Sequence, residues 1–341
     1  MKGKYIALII AGGLMVAGVG IGVAAAASSA FNIENMTKEE EHVEKTFDIS
    51  ESFKDIKIDL DSANVTILHS TDGKARVETS APKGYEFSVN TEGDALKVVG
   101  RDERKWNEMM FTFNSPEAKV YLPGDEYADL MVKDSSGNVV IEGGFTFDSA
   151  DVSANSGNLT FSSNVNGNLT LSAHSGRIVC EDAAAKDTRI EGHSGNIKIT
   201  NLEAANLFIK NTSGNINISN LKADSVKVEG NSGNTNITGA QIEGDINVSR
   251  TSGGTNLEDV IAGGELNAKT SSGNVHLTGC DAANLNLEAS SGNINAELLS
   301  NKDINATSSS GVVSLPDDNS GEKNGTLTAK TSSGNVKIKI R

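Results

Sequence analysis

The chain has 341 residues, a formal net charge of −15, 35 glycines and only 4% aromatic residues. Acidity of this size, with no basic stripe to meet phosphates, excludes nucleic acid as a partner. Abundant glycine, few aromatics and no long amphipathic helical pattern beyond the N-terminus point to a turn-rich β protein.

In chain order, Lys2 and Lys4 precede an uncharged apolar run from Tyr5 to Ala27. As a helix that run spans about 35 Å, enough for a bilayer core of about 30 Å. The lysines on its short side place the start in the cytoplasm and the remainder outside. Ala25-Ala26-Ala27 also offers an A-x-A-like cleavage site. Residues 1–30 are therefore expected to be a single-pass anchor with an extracytoplasmic C-terminal domain, or alternatively a cleaved signal that leaves a secreted protein. Residues 31–46 are polar and acidic and are expected to form a stalk. The run Glu39-Glu40-Glu41-His42 reads as a solvated charged face rather than a metal site.

Residues 47–129 are expected to hold a β cap and a first coil. Ile56-Lys57-Ile58 and Ser62-Ala63-Asn64-Val65-Thr66-Ile67 form that coil, and the alternating stretches Ala75–Thr79, Tyr85–Val89 and Ala95–Val99 follow outside the period. The segment also carries Trp106, Tyr85, Phe87, Phe111, Phe113 and Tyr121, as a terminal module that closes a repeat stack would.

From 130 to 341 the chain repeats. Turn glycines stand at Gly137, Gly157, Gly176, Gly195, Gly214, Gly233, Gly253, Gly273, Gly292, Gly311 and Gly334, 19 or 20 residues apart with one longer final step. Serine precedes every one and asparagine usually follows. Apolar residues recur two and four places after the glycine (Ile197, Ile199) and seven and five places before it (Leu207, Ile209). Such alternation on both sides of a turn gives two short strands, each with one buried face. A third inward column, seven places after the glycine, holds Leu202, Leu221, Val260 and Leu299. A row of antiparallel hairpins would bury little, whereas identical columns stacked coil upon coil build a continuous core. The fold class is thus all-β, a parallel β-solenoid or β-helix, with a right-handed path favoured by the crossover rule. Ten steps at about 4.8 Å give a rod of about 48 Å. Cys180 and Cys280 lie five coils apart in inward columns, too far for a disulfide, and read as small buried apolar groups. The final strand Val336–Arg341 is expected at the exposed end, its alternating positive charge opposing aggregation, with the loop Pro316–Asn324 folded over it.

No nucleophile elbow, phosphate loop, Cys-x-x-Cys pair or His-Glu-x-x-His helix occurs, so no catalytic residue, cofactor or metal is assigned. His174 and His193 share a column of otherwise small polar residues, a generic turn position. A lyase or glycosidase would need convergent carboxylates, and here Glu142, Asp182, Glu203 and Asp259 are scattered through loops. Two outward columns are more suggestive: Asn217, Asn236, Asn256 and Asn295 three places after the glycine, and Asn247, Asn267, Asn286 and Asn305 six places before it. Evenly spaced amides on a flat face suit a repetitive glycan; the plainer alternative is that they bond along the stack and keep the surface soluble.

The opening Phe53-Lys54-Asp55-Ile56-Lys57-Ile58-Asp59-Leu60-Asp61-Ser62-Ala63-Asn64-Val65, the strand end Val120-Tyr121-Leu122-Pro123 and the Ser-Gly-Asn-Val/Ile coils resemble the bacterial "putative adhesin" family of domains of unknown function, related to the head-GIN domains. The resemblance covers nearly all of Phe47 to Arg341 and implies an exported, membrane-tethered β-solenoid, sometimes linked to envelope stress. It brings no catalytic residues. The expected function is a non-enzymatic surface module for adhesion or cell-envelope interaction, with a cell-wall glycan or an envelope protein as partner. The alternatives are an envelope-stress scaffold binding a membrane protein, and a β-helix carbohydrate-active enzyme.

Overall fold

The computed structural model describes residues 42–104, 115–317 and 319–341. The chain divides into two units, Met1–Glu41 with Arg104–Asn114 and His42–Glu103 with Ser115–Arg341. The expected anchor at 1–30, most of the expected stalk, and Trp106, Phe111 and Phe113 lie outside the described residues. No helix long and apolar enough to cross a membrane occurs among the described residues.

The second unit is an all-β solenoid. Its first strands are β1 (His42–Ile49), β2 (Asp55–Leu60), β3 (Asn64–His69), β4 (Ala75–Pro82), β5 (Tyr85–Glu92), β6 (Ala95–Asp102), β7 (Glu117–Leu122), β8 (Glu126–Asp134) and β9 (Val139–Ile141). Then come β10 (Thr146–Ser156), β11 (Leu159–Phe161), β12 (Asn164–Ser175), β13 (Ile178–Ser194), β14 (Ile197–Ser213) and β15 (Ile216–Ser232). They are followed by β16 (Thr235–Ile242), β17 (Ile246–Ser252), β18 (Thr255–Ser272), β19 (Val275–Ser291) and β20 (Ile294–Leu298). The chain closes with β21 (Asp303–Ser310), β22 (Val313–Ser314), β23 (Thr326–Ser333) and β24 (Val336–Ile340). Because β1 begins at His42, it reaches back into the segment expected to be stalk: alternation in His42–Ile49 lets it pair antiparallel with β4.

In the middle of the stack every coil pairs in parallel with the next, Ile197 with Ile216, Leu202 with Leu221 and Leu207 with Val226. A coil turns up to seven positions inward: β14 buries Ile197, Ile199, Leu202, Ala204, Leu207, Ile209 and Asn211. Between the second and third of these the chain turns a corner in the left-handed region, at Asp182 (φ 52°), Asn201 (φ 53°), Asn220 (φ 54°) and Asp259 (φ 52°), with Gly239 and Gly279 at the equivalent places. Asp, Asn and Gly tolerate that conformation best, which accounts for the residue types in this column. The coil beginning at Gly292 has Leu298 there instead, and the corner is lost. Leu298 then fills the core and Leu299, expected inward, is 45% exposed.

The Ser-Gly turns stack directly on one another. Gly195 (φ +148°) sits so close to its neighbour that a Cβ would meet Gly176 O at 1.8 Å. The asparagine after the glycine explains itself the same way: Asn196 Oδ1 accepts from Asn215 N (2.9 Å), and Asn215 Oδ1 from Asn234 N (2.9 Å). The side chain supplies an acceptor to the next coil where the tight turn leaves a backbone N–H without one.

At both ends the stacking order departs from the chain order. The coil β2/β3 receives β8/β9 on one side and β6/β7 on the other, so β6/β7 lies beneath the first coil. Strands β4 and β5 then pair antiparallel with β7 and β6, and β1 with β4, closing that end. At the far end β23/β24 pairs with β19/β20, and β21/β22 pairs onto the outside of β23/β24. This corrects the expectation that Val336–Arg341 forms the exposed end. Leu327, Ala329, Val336 and Ile338 are buried, while the equivalent Ile304, Ala306 and Val313 are only partly so. The coil with the larger apolar set takes the enclosed place, and the loop after Leu315 is long enough to allow the exchange. That loop bonds sideways to the stack, Asn324 N to Asn301 O (2.8 Å) and Asn319 Nδ2 to Lys302 O (3.2 Å).

Candidate functional site

The structure places all eight candidate asparagines on outward strand positions, in two columns on opposite sides of the Ser-Gly turn. In the first, Asn217, Asn236 and Asn256 occupy successive coils, followed by His276, Asn295 and Lys337. Their amides form a ladder: Asn236 Nδ2 donates to Asn217 Oδ1 (2.8 Å) and Asn256 Nδ2 to Asn236 Oδ1 (2.8 Å). In the second, Asn247, Asn267 and Asn286 are successive, and Asn267 Nδ2 donates to Asn247 Oδ1 (3.0 Å). Asn305 does not follow Asn286. The exchanged end coils put Thr328 between them.

The second column continues in the other direction through Lys227, Phe208 and Arg189. Phe208 lies between its neighbours' cations, with Arg189 Cζ 4.5 Å and Lys227 Nζ 5.6 Å from the ring centroid. A shallow groove of about 530 Å³ runs past this ring, lined also by Asn206, Asp187 and Ser225. Sequence reasoning passed over Phe208, although the alternation Leu207-Phe208-Ile209 already turned it outward. A wider groove of about 940 Å³ follows the third side of the coils, floored by Ala184, Ala185, Ala204 and Ala223 and edged by Lys186, Glu203 and Lys222.

A third depression, of about 520 Å³, gathers groups from separate coils: Asp59, Asp134, His174, Glu191 and His193. The two histidine rings stack at 4.5 Å with planes 5° apart. In-plane lone pairs on parallel rings run side by side rather than converging on one ion, and no set of three or more His, Cys, Asp or Glu suited to a metal occurs among the described residues. Asp134 is buried, and burial pushes its carboxyl up to about 7 against backbone N–H groups of Ser136 and Ser135 that pull it down. Its Oδ2 is tucked beneath the turn, where a Cβ on Gly137 would lie 2.4 Å away. The carboxyl therefore faces the core of the turn.

The buried thiols are chemically quiet. Both cysteines are free and fully enclosed, and burial pushes Cys180 up to about 12 and Cys280 to about 11. At neutral pH neither supplies the thiolate that a nucleophile or metal ligand requires.

Comparison with solved structures finds similar chains at low identity. A protein described as a "putative adhesin" from Bacteroides fragilis NCTC 9343 is 14% identical, covering 88% of this chain and 97% of its own, with a TM-score of 0.36. Another so described, from Parabacteroides merdae ATCC 43184, is 16% identical over 75% of this chain and 96% of its own, with a TM-score of 0.43. A third, described as a "putative lipid binding protein" from Parabacteroides distasonis ATCC 8503, is 15% identical over 75% and 96%, with a TM-score of 0.41. No curated protein matches the chain. The sequence profile of one family matches residues 53–238 and again 185–341, which together hold every strand from β2 to β24. With its opening strand pair, its Ser-Gly turns and its stacked parallel coils, this chain belongs to the Toastrack DUF4097 family.

Proposed function

We propose that this chain is a non-enzymatic extracytoplasmic surface module for adhesion or cell-envelope interaction, tethered through its apolar N-terminal segment, and that it lays a repetitive cell-wall glycan along its outward asparagine columns. The observation that carries the reading is register. Asn217, Asn236 and Asn256, and again Asn247, Asn267 and Asn286, recur at one position in successive coils, so amides repeat every ~4.8 Å along the stack. A ladder bond uses one donor and one acceptor of each amide and leaves further donors and acceptors facing solvent. A polymer that meets several such rungs gains avidity even where each rung binds weakly. Phe208, in the column of Asn247, adds an apolar ring beside them.

The test is co-sedimentation of the detergent-solubilised full-length protein with purified cell walls and a panel of polysaccharides, with new reducing ends followed in the same tubes. Binding without release is expected. Asn236→Asp combined with Asn267→Asp is expected to weaken binding about tenfold while the melting transition holds. Release of sugar ends overturns the non-enzymatic reading, and equal binding by the double variant removes the columns as the site. Absence of any glycan binding would direct attention to a membrane-protein partner, sought by cross-linking.

A further inference from the structure

The two ends of the stack are finished differently. At the end formed by β1, β4 and β5 the outer strands pair antiparallel, and their free edges carry Glu44, Lys45 and Asp48 on β1 and Glu86 and Glu92 on β5. Charged edges of this kind prevent another strand from adding. At the other end, among the described residues, β21 pairs with β23 alone, so one side of its backbone has no strand partner. From Ile304 to Pro316 the terminal coil has no charged residue in a chain of net charge −15. Ile304 and Ala306 are only partly buried, and Val312 (69%) and Leu315 (48%) of the same coil are exposed.

We propose that the terminal coil β21/β22 is a self-association edge, on which β21 of a second copy of this chain pairs antiparallel about a two-fold axis. The occupant is a second copy for three reasons. An identical edge matches β21 in length, and its one charged residue, Asp303, stands at the start of the strand, so antiparallel pairing sets the two Asp303 side chains at opposite ends of the contact and brings no like charges opposite one another. A two-fold contact is closed, consuming both bare edges. The head-to-tail alternative would set the bare edge against the charged strands of the opposite end. Pairing must keep inward residues opposite inward residues, since a shift of one residue reverses the faces. Ala306 therefore meets Ala306 or Ser308 of the second copy, and in either register Thr307 lies opposite, or diagonal to, its own counterpart.

The experiment uses the full-length chain in detergent, followed by sedimentation velocity over a range of concentrations. Wild type is expected to be in monomer–dimer equilibrium. Thr307 is exposed and in register with Lys330 of β23; Thr307→Lys is expected to raise the dissociation constant about a hundredfold by like-charge contact between copies, with an unchanged melting transition showing that the coil stays folded. Thr307→Asp is expected to do the same, and an equimolar mixture of the two variants to restore association. Ser88→Lys, on the outer strand of the opposite end, is expected to leave it unchanged. A monomeric wild type, or a dimer that persists undiminished in Thr307→Lys, overturns the proposal; the second result would place the contact elsewhere, including in the apolar N-terminal segment. Glycan binding is measured separately, so its failure and the failure of self-association are distinguishable.

Discussion

The guanidinium of Arg250 fills the space that Gly230 leaves open one coil away: the two are paired in register, and a Cβ on Gly230 would lie 1.9 Å from Arg250 Nη1. Arg250 is 4% exposed and makes no ion pair with a carboxylate among the described residues; its Nε donates to Thr235 Oγ1 (2.7 Å) and its Nη2 to Asn234 O (3.3 Å). Burial lowers its pKa to about 10, so it remains charged at neutral pH. Asn211 leans over Gly192 in the same manner, with Nδ2 donating to Gly195 O (3.0 Å).

Gly230→Ala is accordingly expected to destabilise the protein by about 1–3 kcal/mol, because the Arg250 head is held by its hydrogen bonds and has little freedom to withdraw. Combining it with Arg250→Ala should cost less than the sum of the two single changes. Chemical denaturation of the four proteins in this cycle reads the coupling.

The turn glycines should differ sharply from loop glycines. Gly195→Ala forces a Cβ to within 1.8 Å of Gly176 O, backbone that cannot yield without separating two coils, and should cost more than about 3 kcal/mol. Gly93→Ala, at φ +60° with nothing within 4 Å, meets only the left-handed backbone penalty of about 1–2 kcal/mol. Thermal melts of the two variants test the contrast.

Asp134 should give stability a distinct pH dependence. Its carboxyl is raised by burial from 3.8 to about 7, so between those values the folded state holds a proton that the unfolded state has lost. Stability from this group is therefore fully present below the unfolded value and falls as pH rises through about 7. Denaturant titrations should show Asp134→Asn losing that part of the slope, and gaining on wild type at about pH 8 relative to about pH 5.

Lys302 is fully buried and ties the returning loop to the stack: its Nζ lies 2.7 Å from Asp281 Oδ1 and donates to Ala282 O (2.5 Å) and Asn324 O. Asp281→Ala leaves that ammonium enclosed without its counter-charge and should cost about 3 kcal/mol, more than Lys302→Met, which removes the charge and keeps the volume. Faster hydrogen exchange confined to 319–341 would show that the pair secures this end.

The inward columns two and four places after the glycine, and seven and five before it, were legible because a period of 19 or 20 residues aligned Ile197 with Ile216 and Leu207 with Val226 without any tertiary information. The polar inward column three places before the glycine was not. Asp134, Asn211, Arg250, Thr270 and Thr331 resemble surface residues in sequence, yet they are enclosed because the turn has backbone groups to satisfy inside it: Asn211, Thr270 and Thr331 donate to Gly195 O, Gly253 O and Gly292 O, Arg250 donates to Asn234 O, and Asp134 accepts from Ser136 N.

By itself, then, the sequence determined the coil, its turn chemistry and the outward placing of all eight candidate asparagines, since each follows from residue alternation within one repeat. Which coil lies on which was decided only by the tertiary structure. Two coils that both fit the template compete for one enclosed place, and the apolar set of Leu327, Ala329, Val336 and Ile338 outweighs that of Ile304, Ala306 and Val313. That balance of burial between distant segments leaves β21 at the end of the stack and separates Asn305 from Asn286 by one coil.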